Sequence, residues 1–383
     1  MIAITDSIRY VGVNDKTLDL FEGQYVVPNG VSYNSYTITD EKIAVFDTVD
    51  KRKTEEWLSN VEIALAGRVP DYIIISHMEP DHSASIRAFL NKYPNTVVVG
   101  NEKTFNIAER FYGKIFDKTL VVKDGDELSL GKHKLKFIFA PMVHWPEVMF
   151  TYETTEKVLF SADAFGKFGA LDVDEDWTCE ARRYYINIVG KYGSTVQSAL
   201  KKAAQLDIKI ICPLHGPMLT ENLRYYIGKY NTWSSYVPED KGVTVAYSSI
   251  YGNTQEAAKR LATMLEKAGM RVEVFDLARD DVAEAVESAF RYDRLVLASV
   301  TYDGGLFPMT ELFINRLKSK NFQSRTVAFI ENGTWAPMSG KLMRAQFETM
   351  KNITFVENIV TIKSAVNADT EAELAALAGE LTK

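Results

Sequence analysis

Over roughly the first 235 residues, short apolar runs rich in β-branched and aromatic residues stop abruptly in polar clusters. Residues 72–76 (Y-I-I-I-S), 135–139 (L-K-F-I-F), 158–161 (V-L-F-S) and 208–212 (I-K-I-I-C) read as strands. Lys132, Lys134 and Lys136 alternate with His133, Leu135 and Phe137, which is the period of a strand with one face in water. Residues 54–66 read as a helix, with Trp57, Val61, Ile63 and Leu65 as its apolar positions and Thr54 as its N-cap.

The pattern breaks in a short polar stretch, V-P-E-D-K-G at 237–242, which marks a domain boundary. Beyond it the rhythm is regular. Strands at 243–247, 272–275, 295–298, 326–330 and 358–362 alternate with helices at 253–268, 282–290, 309–317, 340–350 and 370–381. Such alternation predicts an α/β domain with an open, doubly wound parallel sheet. The division is therefore drawn as 1–240 and 241–383, and no internal repeat or low-complexity segment interrupts it.

Composition narrows the function. A chain of 383 residues suits two domains, and 46% hydrophobic with 25% charged residues describes an ordinary folded protein. Its 51 acidic against 44 basic residues leave a net charge of −7, which argues against a nucleic-acid partner. The excess reads as solubility, with room for a basic redox partner. No apolar run spans a bilayer and no secretory signal opens the chain, so the expected setting is cytoplasmic, without a membrane partner. The two cysteines, Cys179 and Cys212, form no C-x-x-C pair and exclude a disulfide scaffold, a zinc ribbon and a built-in rubredoxin-like centre.

Candidate chemistry lies just past the strand ends. His77-Met78-Glu79-Pro80-Asp81-His82 follows the first strand, His144 the second, Asp163 the third and His215 the fourth. On a sheet whose strands end at one rim these seven side chains converge, and seven ligands exceed what one zinc ion takes, so two metals are expected. Imidazole and carboxylate without thiolate suits iron, manganese or zinc, with the carboxylate share favouring iron. Asp163 is the natural bridge. His133, with no carboxylate neighbour, is set aside as an ordinary residue, and Cys212 as a small buried hydrophobe.

The cluster H-x-E-x-D-H with His144, Asp163 and His215 resembles the metal motif of flavodiiron proteins (A-type flavoproteins). The resemblance implies an N-terminal metallo-β-lactamase-like αββα sandwich. Hydrolases of that fold carry H-x-H-x-D-H, so Glu79 exchanges a nitrogen for a hard oxygen and favours iron over zinc. Carried over by position, it implies one iron on His77, Glu79 and His144, another on Asp81, His82 and His215, and Asp163 bridging. Residues 27–36 and 181–188 also resemble the family, and Tyr33 and Tyr184 or Tyr185 are candidate hydrogen-bond donors beside the metals.

In the second domain, Ser248, Ser249, Ile250, Tyr251, Gly252, Asn253 and Thr254 join the first strand to its helix. Hydroxyls and backbone N–H groups at a helix N-terminus cradle a phosphate. No Lys follows Gly252, so a nucleoside-triphosphate loop falls away, and the dinucleotide fingerprint is missing too. S-x-x-x-G-N-T resembles the flavodoxin phosphate loop and implies FMN. Thr301, Tyr302, Asp303, Gly304 and Gly305 follow the third strand, while Glu331, Asn332, Gly333, Thr334 and Trp335 follow the fourth. Tyr302 and Trp335 can flank a flat ring.

The resemblance covers essentially the whole chain and implies a flavodiiron oxidoreductase. FMN takes electrons from a separate donor, such as rubredoxin or a reduced deazaflavin, and the diiron site reduces dioxygen to water or nitric oxide to nitrous oxide. That chemistry protects against oxygen or nitrosative stress. It also implies a head-to-tail homodimer or a dimer of dimers. The alternatives are a zinc-dependent hydrolase of the metallo-β-lactamase fold with an accessory flavodoxin domain, and an electron carrier with a vestigial metal site.

Overall fold

A computed structural model describes residues 2–383, which divide into two compact units. Of the described residues, those up to 185 with 192–231 form one unit, and 186–191 with 232–383 the other.

In the first unit two sheets face each other. The seven-stranded sheet runs Ile2–Ala3, Ile8–Tyr10, Tyr36–Thr39, Ile43–Phe46, Tyr72–Ile74, Val97–Gly100, Thr119–Val121. The five-stranded sheet runs Glu127–Ser129, Lys134–Phe139, Met149–Glu153, Val158–Phe160, Ile210–Cys212. Their inner faces supply one core, with Ile38, Phe46, Ile74 and Val99 on one side and Leu135, Phe137, Met149 and Phe160 on the other. Phe46 and Phe160 stack across the layers with centroids 4.0 Å apart. Each such fully buried side chain contributes about 1.5–3 kcal/mol, so the layers are held by area rather than by single bonds.

Helices cover the outer faces, as in an αββα sandwich. The helix Thr54–Leu65 presents Trp57 and Val61 inward, and the Trp57 ring lies 5.6 Å from that of Phe89. Two expectations fail here. Thr54 is not the cap: Lys53 holds that position, and a 3-10 turn Lys51–Lys53, capped by Asp50, precedes the helix. Ile63 is 62% exposed, while Ala64 and Leu65 complete the buried face.

The second unit is the expected doubly wound sheet. Its strands pair in the order Val272–Asp276, Asp240–Ser248, Tyr292–Tyr302, Thr326–Asn332, followed by a fifth position split into Thr354–Phe355 and Val360–Ile362. All these pairings are parallel. Second-first-third-fourth-fifth is the flavodoxin order, with a crevice at the carboxyl ends where the winding reverses. Helix Asn253–Lys267 buries Ala257, Ala258, Leu261 and Leu265 against this sheet, the i, i+1, i+4, i+8 spacing of one helical face. Among the described residues, no helix is long and apolar enough to cross a membrane.

Candidate functional sites

The seven candidate metal ligands meet in the first unit. Strand Tyr72–Ile74 delivers the chain into an extended segment, where His77 and Glu79, two residues apart, share a face. Pro80 then opens a single helical turn, Pro80–Ser83, which turns Asp81 and His82 away from that face. One cluster gathers His77, Glu79, His144 and Asp163; the other gathers Asp81, His82 and His215. Asp163 serves both: its Oδ2 lies 3.0 Å from His144 Nε2 and 3.5 Å from His77 Nε2, and its Oδ1 lies 3.3 Å from His82 Nε2.

The spacing inside each cluster is that of a coordination shell. Glu79 Oε2 is 3.1 Å from His77 Nε2 and 3.0 Å from His144 Nε2. Asp81 Oδ2 is 3.4 Å from His82 Nε2 and 3.3 Å from His215 Nε2. Metal–ligand bonds of about 2.0–2.2 Å set neighbouring ligands about 2.8–3.6 Å apart, from octahedral to tetrahedral. His82 Nε2 and His215 Nε2 stand 3.0 Å apart, and Asp81 keeps both carboxylate oxygens buried without a hydrogen-bond donor. A cation between those groups satisfies all of them.

Electrostatics point the same way. Burial alone pushes the Asp163 carboxyl up, but the His77, His144 and His82 imidazoles outweigh it and hold it well below its ordinary value. Burial lowers His144, and hydrogen bonds to Asp163 and Glu79 reverse that and raise it to about 9. Burial also lowers His77 and His82, and neighbouring carboxylates reverse it and raise both: Asp163, Glu147 and Glu79 at His77, Asp81 and Asp163 at His82. Dense negative charge around buried imidazoles is what a dication compensates.

Neighbouring residues hold the ligands still. His77 Nδ1 donates to Glu147 Oε1 at 2.8 Å, and His215 Nδ1 donates to the Ser32 carbonyl at 2.7 Å. Asp47 Oδ1 accepts the backbone N–H groups of Ser76 (2.7 Å) and His77 (3.2 Å), while Thr48 Oγ1 donates to the His82 carbonyl at 2.8 Å. Gly216 has φ +75°, and a Cβ there would stand 2.7 Å from Lys167 Cγ, so the turn after His215 admits only glycine. The Tyr33 ring lies 6.0 Å from His215, with its hydroxyl accepting from Arg52 at 3.0 Å. Tyr184 lies 5.5 Å from His215 with its hydroxyl buried and unpartnered, whereas Tyr185 packs on Tyr230 at 5.0 Å.

Glu147 and Asp47 escape the sequence reading. Glu147 stands three residues after His144 in H-W-P-E, and Asp47 directly follows the apolar strand I-A-V-F at 43–46, so each carries a visible signal. The expectation for His133 is corrected: its Nδ1 lies 3.0 Å from Glu153 Oε1, a carboxylate twenty positions on that cross-strand pairing brings close.

The second unit carries a cavity of ≈ 510 Å³ at the carboxyl ends of its strands. Ser249, Ile250, Tyr251, Asn253, Thr254, Thr301, Tyr302, Asp303, Gly304, Asn332, Gly333, Thr334 and Trp335 line it. Ser248 lies behind the wall, accepting from Thr310 at 2.8 Å, and Glu331 binds Gly340 N and Thr361 instead; Gly252 and Gly305 also stand outside the lining. Val300, Ala336, Met338 and Ser364 join the lining without having been anticipated. Ser364 comes from the loop after the fifth strand, and its N–H donates to Asn332 Oδ1 at 3.1 Å.

This cavity suits a monophosphate with a flat ring. No Lys or Arg lines it; Gly252, at φ +91°, turns the loop into helix Asn253–Lys267, whose first residues Asn253 and Thr254 line the cavity, and a helix N-terminus favours a phosphate. Tyr251 and Trp335 are each 91% exposed, an expensive state for rings unless something covers them.

The two units together define a class: a metallo-β-lactamase sandwich with two ligand clusters that share Asp163, joined to a flavodoxin sheet. Comparisons with known proteins agree. The ODP family beta lactamase profile matches residues 31–216 and the flavodoxin profile residues 245–374. An anaerobic nitric oxide reductase flavorubredoxin of Vibrio vulnificus is 30% identical over 91% of this chain and 74% of its own length. The flavodiiron protein of Giardia intestinalis superposes with a TM-score of 0.93 at 25% identity, covering 99% of this chain and 95% of that one. The rubredoxin oxygen:oxidoreductase of Desulfovibrio gigas shares the fold, with a TM-score of 0.93 at 24% identity over 100% and 97% of the two chains. The chain belongs to the flavodiiron protein family, whose members are oxidoreductases.

Proposed function

We propose that this chain is a flavodiiron reductase of dioxygen or nitric oxide, with iron on His77, Glu79 and His144 and on Asp81, His82 and His215, Asp163 shared, and FMN in the second unit. The observation that carries this reading is the pair of ligand clusters sharing Asp163. Each cluster offers two imidazoles and one carboxylate of its own, the donor set of non-haem iron with open positions. When bound, FMN and the iron pair supply the electrons: four for one dioxygen with four protons, or two for two nitric oxide molecules with two protons.

The chain's own residues do the rest. Glu79 and Asp81 each direct one carboxylate oxygen at the cluster and keep hard charge on the cations. The rings of Tyr33, Tyr184 and Phe21 surround His215, thinning water around the cluster. Tyr184 Oη keeps its proton, because burial first, then Asp163, Asp81 and Glu79, raise its pKa well above the ordinary value. It therefore stands as a hydrogen-bond donor towards a small oxidant. Ser249, Asn253 and Thr254 hold a phosphate, and Tyr302 and Trp335 orient a ring.

In this reading residues 1–240 carry the metal chemistry and residues 241–383 the flavin. In the same reading electrons come from a separate donor such as rubredoxin or a reduced deazaflavin. The working form is a head-to-tail homodimer or dimer of dimers in the cytoplasm, and a strictly monomeric protein of full activity would sink that part. Metal and flavin analysis tests the whole: two iron ions and one FMN per chain are expected. Two zinc ions with ester hydrolysis in place of gas consumption would replace this function with the hydrolase alternative.

A further inference from the structure

The two metal clusters are braced differently from behind. His77 Nδ1 faces a full carboxylate, Glu147 Oε1, with both side chains wholly buried. A carboxylate only accepts, so Nδ1 carries the proton and Nε2 turns its lone pair to the cluster. Glu147 is itself fixed, since Oε1 also accepts from Met78 N at 2.9 Å and its backbone carbonyl accepts from Asn101 Nδ2 at 2.6 Å. Its Oε2 has no hydrogen-bond partner, and the other donors on this carboxylate are neutral backbone N–H groups.

The other cluster has no carboxylate hydrogen-bonded behind an imidazole: the charge of buried Asp47 reaches His82, but its hydrogen bonds go to the backbone N–H groups of Ser76 and His77. His215 Nδ1 donates to a neutral acceptor, the Ser32 carbonyl, at 2.7 Å. His82 Nδ1 is buried without a partner. A carboxylate behind an imidazole makes it a stronger donor to a cation, and losing such a partner typically weakens metal affinity about 10–100-fold.

We infer that Glu147 makes the two metal sites unequal, so that the ion on His77, Glu79 and His144 is held more tightly than the ion on Asp81, His82 and His215. The inference rests on the ligand reading above and adds an order to it. Mild chelation leaves a chain with one ion, bound on the His77 side. Glu147 is a positioning residue that acts through His77.

The test follows iron leaving the intact, FMN-bound holoprotein under an excess of chelator, in the absence of oxygen. Two phases of one ion each are expected, about 10–100-fold apart in rate. Glu147→Gln keeps an acceptor for Nδ1–H but removes the charge, and should speed the slow phase alone by a similar factor. Asp81→Asn should abolish the fast phase and keep the slow one. That second variant decides the matter even if Glu147→Gln fails to fold: loss of the slow phase there overturns the inference. Loss of both wild-type ions in one phase, or a slow phase unmoved in folded Glu147→Gln, also overturns it and leaves the ligand reading standing. A wild type that binds no ions sinks both.

Discussion

Asp47 sits under the metal cluster without touching it, and its removal gives a loss that the structure sizes. Its carboxylate is buried and accepts the backbone N–H groups of Ser76 and His77 through one oxygen. In Asp47→Ala both donors stay buried with no acceptor. Each orphaned buried donor costs about 1–3 kcal/mol, so the segment leading into the ligands loses about 2–6 kcal/mol. Asp47→Asn keeps an amide oxygen at the same place and should lose less than half of that. Global unfolding of a two-unit chain is not a two-state measurement, so the assay is amide hydrogen exchange of the peptide spanning 72–82. A loss of even 2 kcal/mol corresponds to about 30-fold faster exchange through local opening. If exchange at Ser76 and His77 is unchanged in Asp47→Ala, the strand end is not braced as described.

Three more expectations follow from the same geometry. In the metal-free protein His144, raised to about 9, is protonated at pH 7.5, and ligation needs it neutral, so loading should release protons and apparent affinity should climb with pH up to about 9. Calorimetry in two buffers of different ionisation heat reads the release, and loading without it contradicts the assignment. Arg325 is buried in the second unit, donating to the carbonyls of Tyr236 (2.7 Å), Tyr292 (2.8 Å) and Gln323 (2.9 Å), and burial lowers its pKa to about 10, so it stays charged at neutral pH. Arg325→Met should cost about 3 kcal/mol or more and lower the melting temperature of that unit by about 6–12 °C, against which a shift under about 2 °C would count. Thr254→Ala removes one hydroxyl from the phosphate cradle and should weaken FMN binding about 10- to 100-fold by fluorescence titration, with unchanged binding counting against the cradle.

Much of the design is readable along the chain because its functional side chains follow strand ends. Y-I-I-I-S before His77 and V-L-F-S before Asp163 are apolar runs that stop where polar chemistry starts, and such boundaries survive folding. The strands Ile8–Tyr10 and Tyr36–Thr39 are harder to see: they alternate apolar and polar residues over only three and four positions, too short a run to stand out before the antiparallel pairing joins them. Ile63 looks like a core position by spacing, but the helix presents Ala64 and Leu65 instead. The partners of Asp47, Glu147 and His133 lie 20 to 70 positions away, so local pattern can mark such a residue but does not encode what it meets. In the flavin cavity, Ser364 stands two residues past a strand that is readable at 358–362, but K-S-A-V at 363–366 has no glycine or aromatic residue to mark a ligand loop.

The central claim is that the cluster sharing Asp163 reduces a small oxidant with electrons from the flavin. The direct measurement is stopped-flow mixing of the anaerobically reduced, metal-loaded protein with dioxygen and with nitric oxide in turn, beside Asp163→Ala. The wild type should reoxidise its flavin while consuming the gas, at one dioxygen per four electrons or two nitric oxide molecules per two, and the variant should do neither at a comparable rate. If Asp163→Ala, folded and carrying FMN, consumes both gases as fast as the wild type, the site has been assigned to the wrong residues.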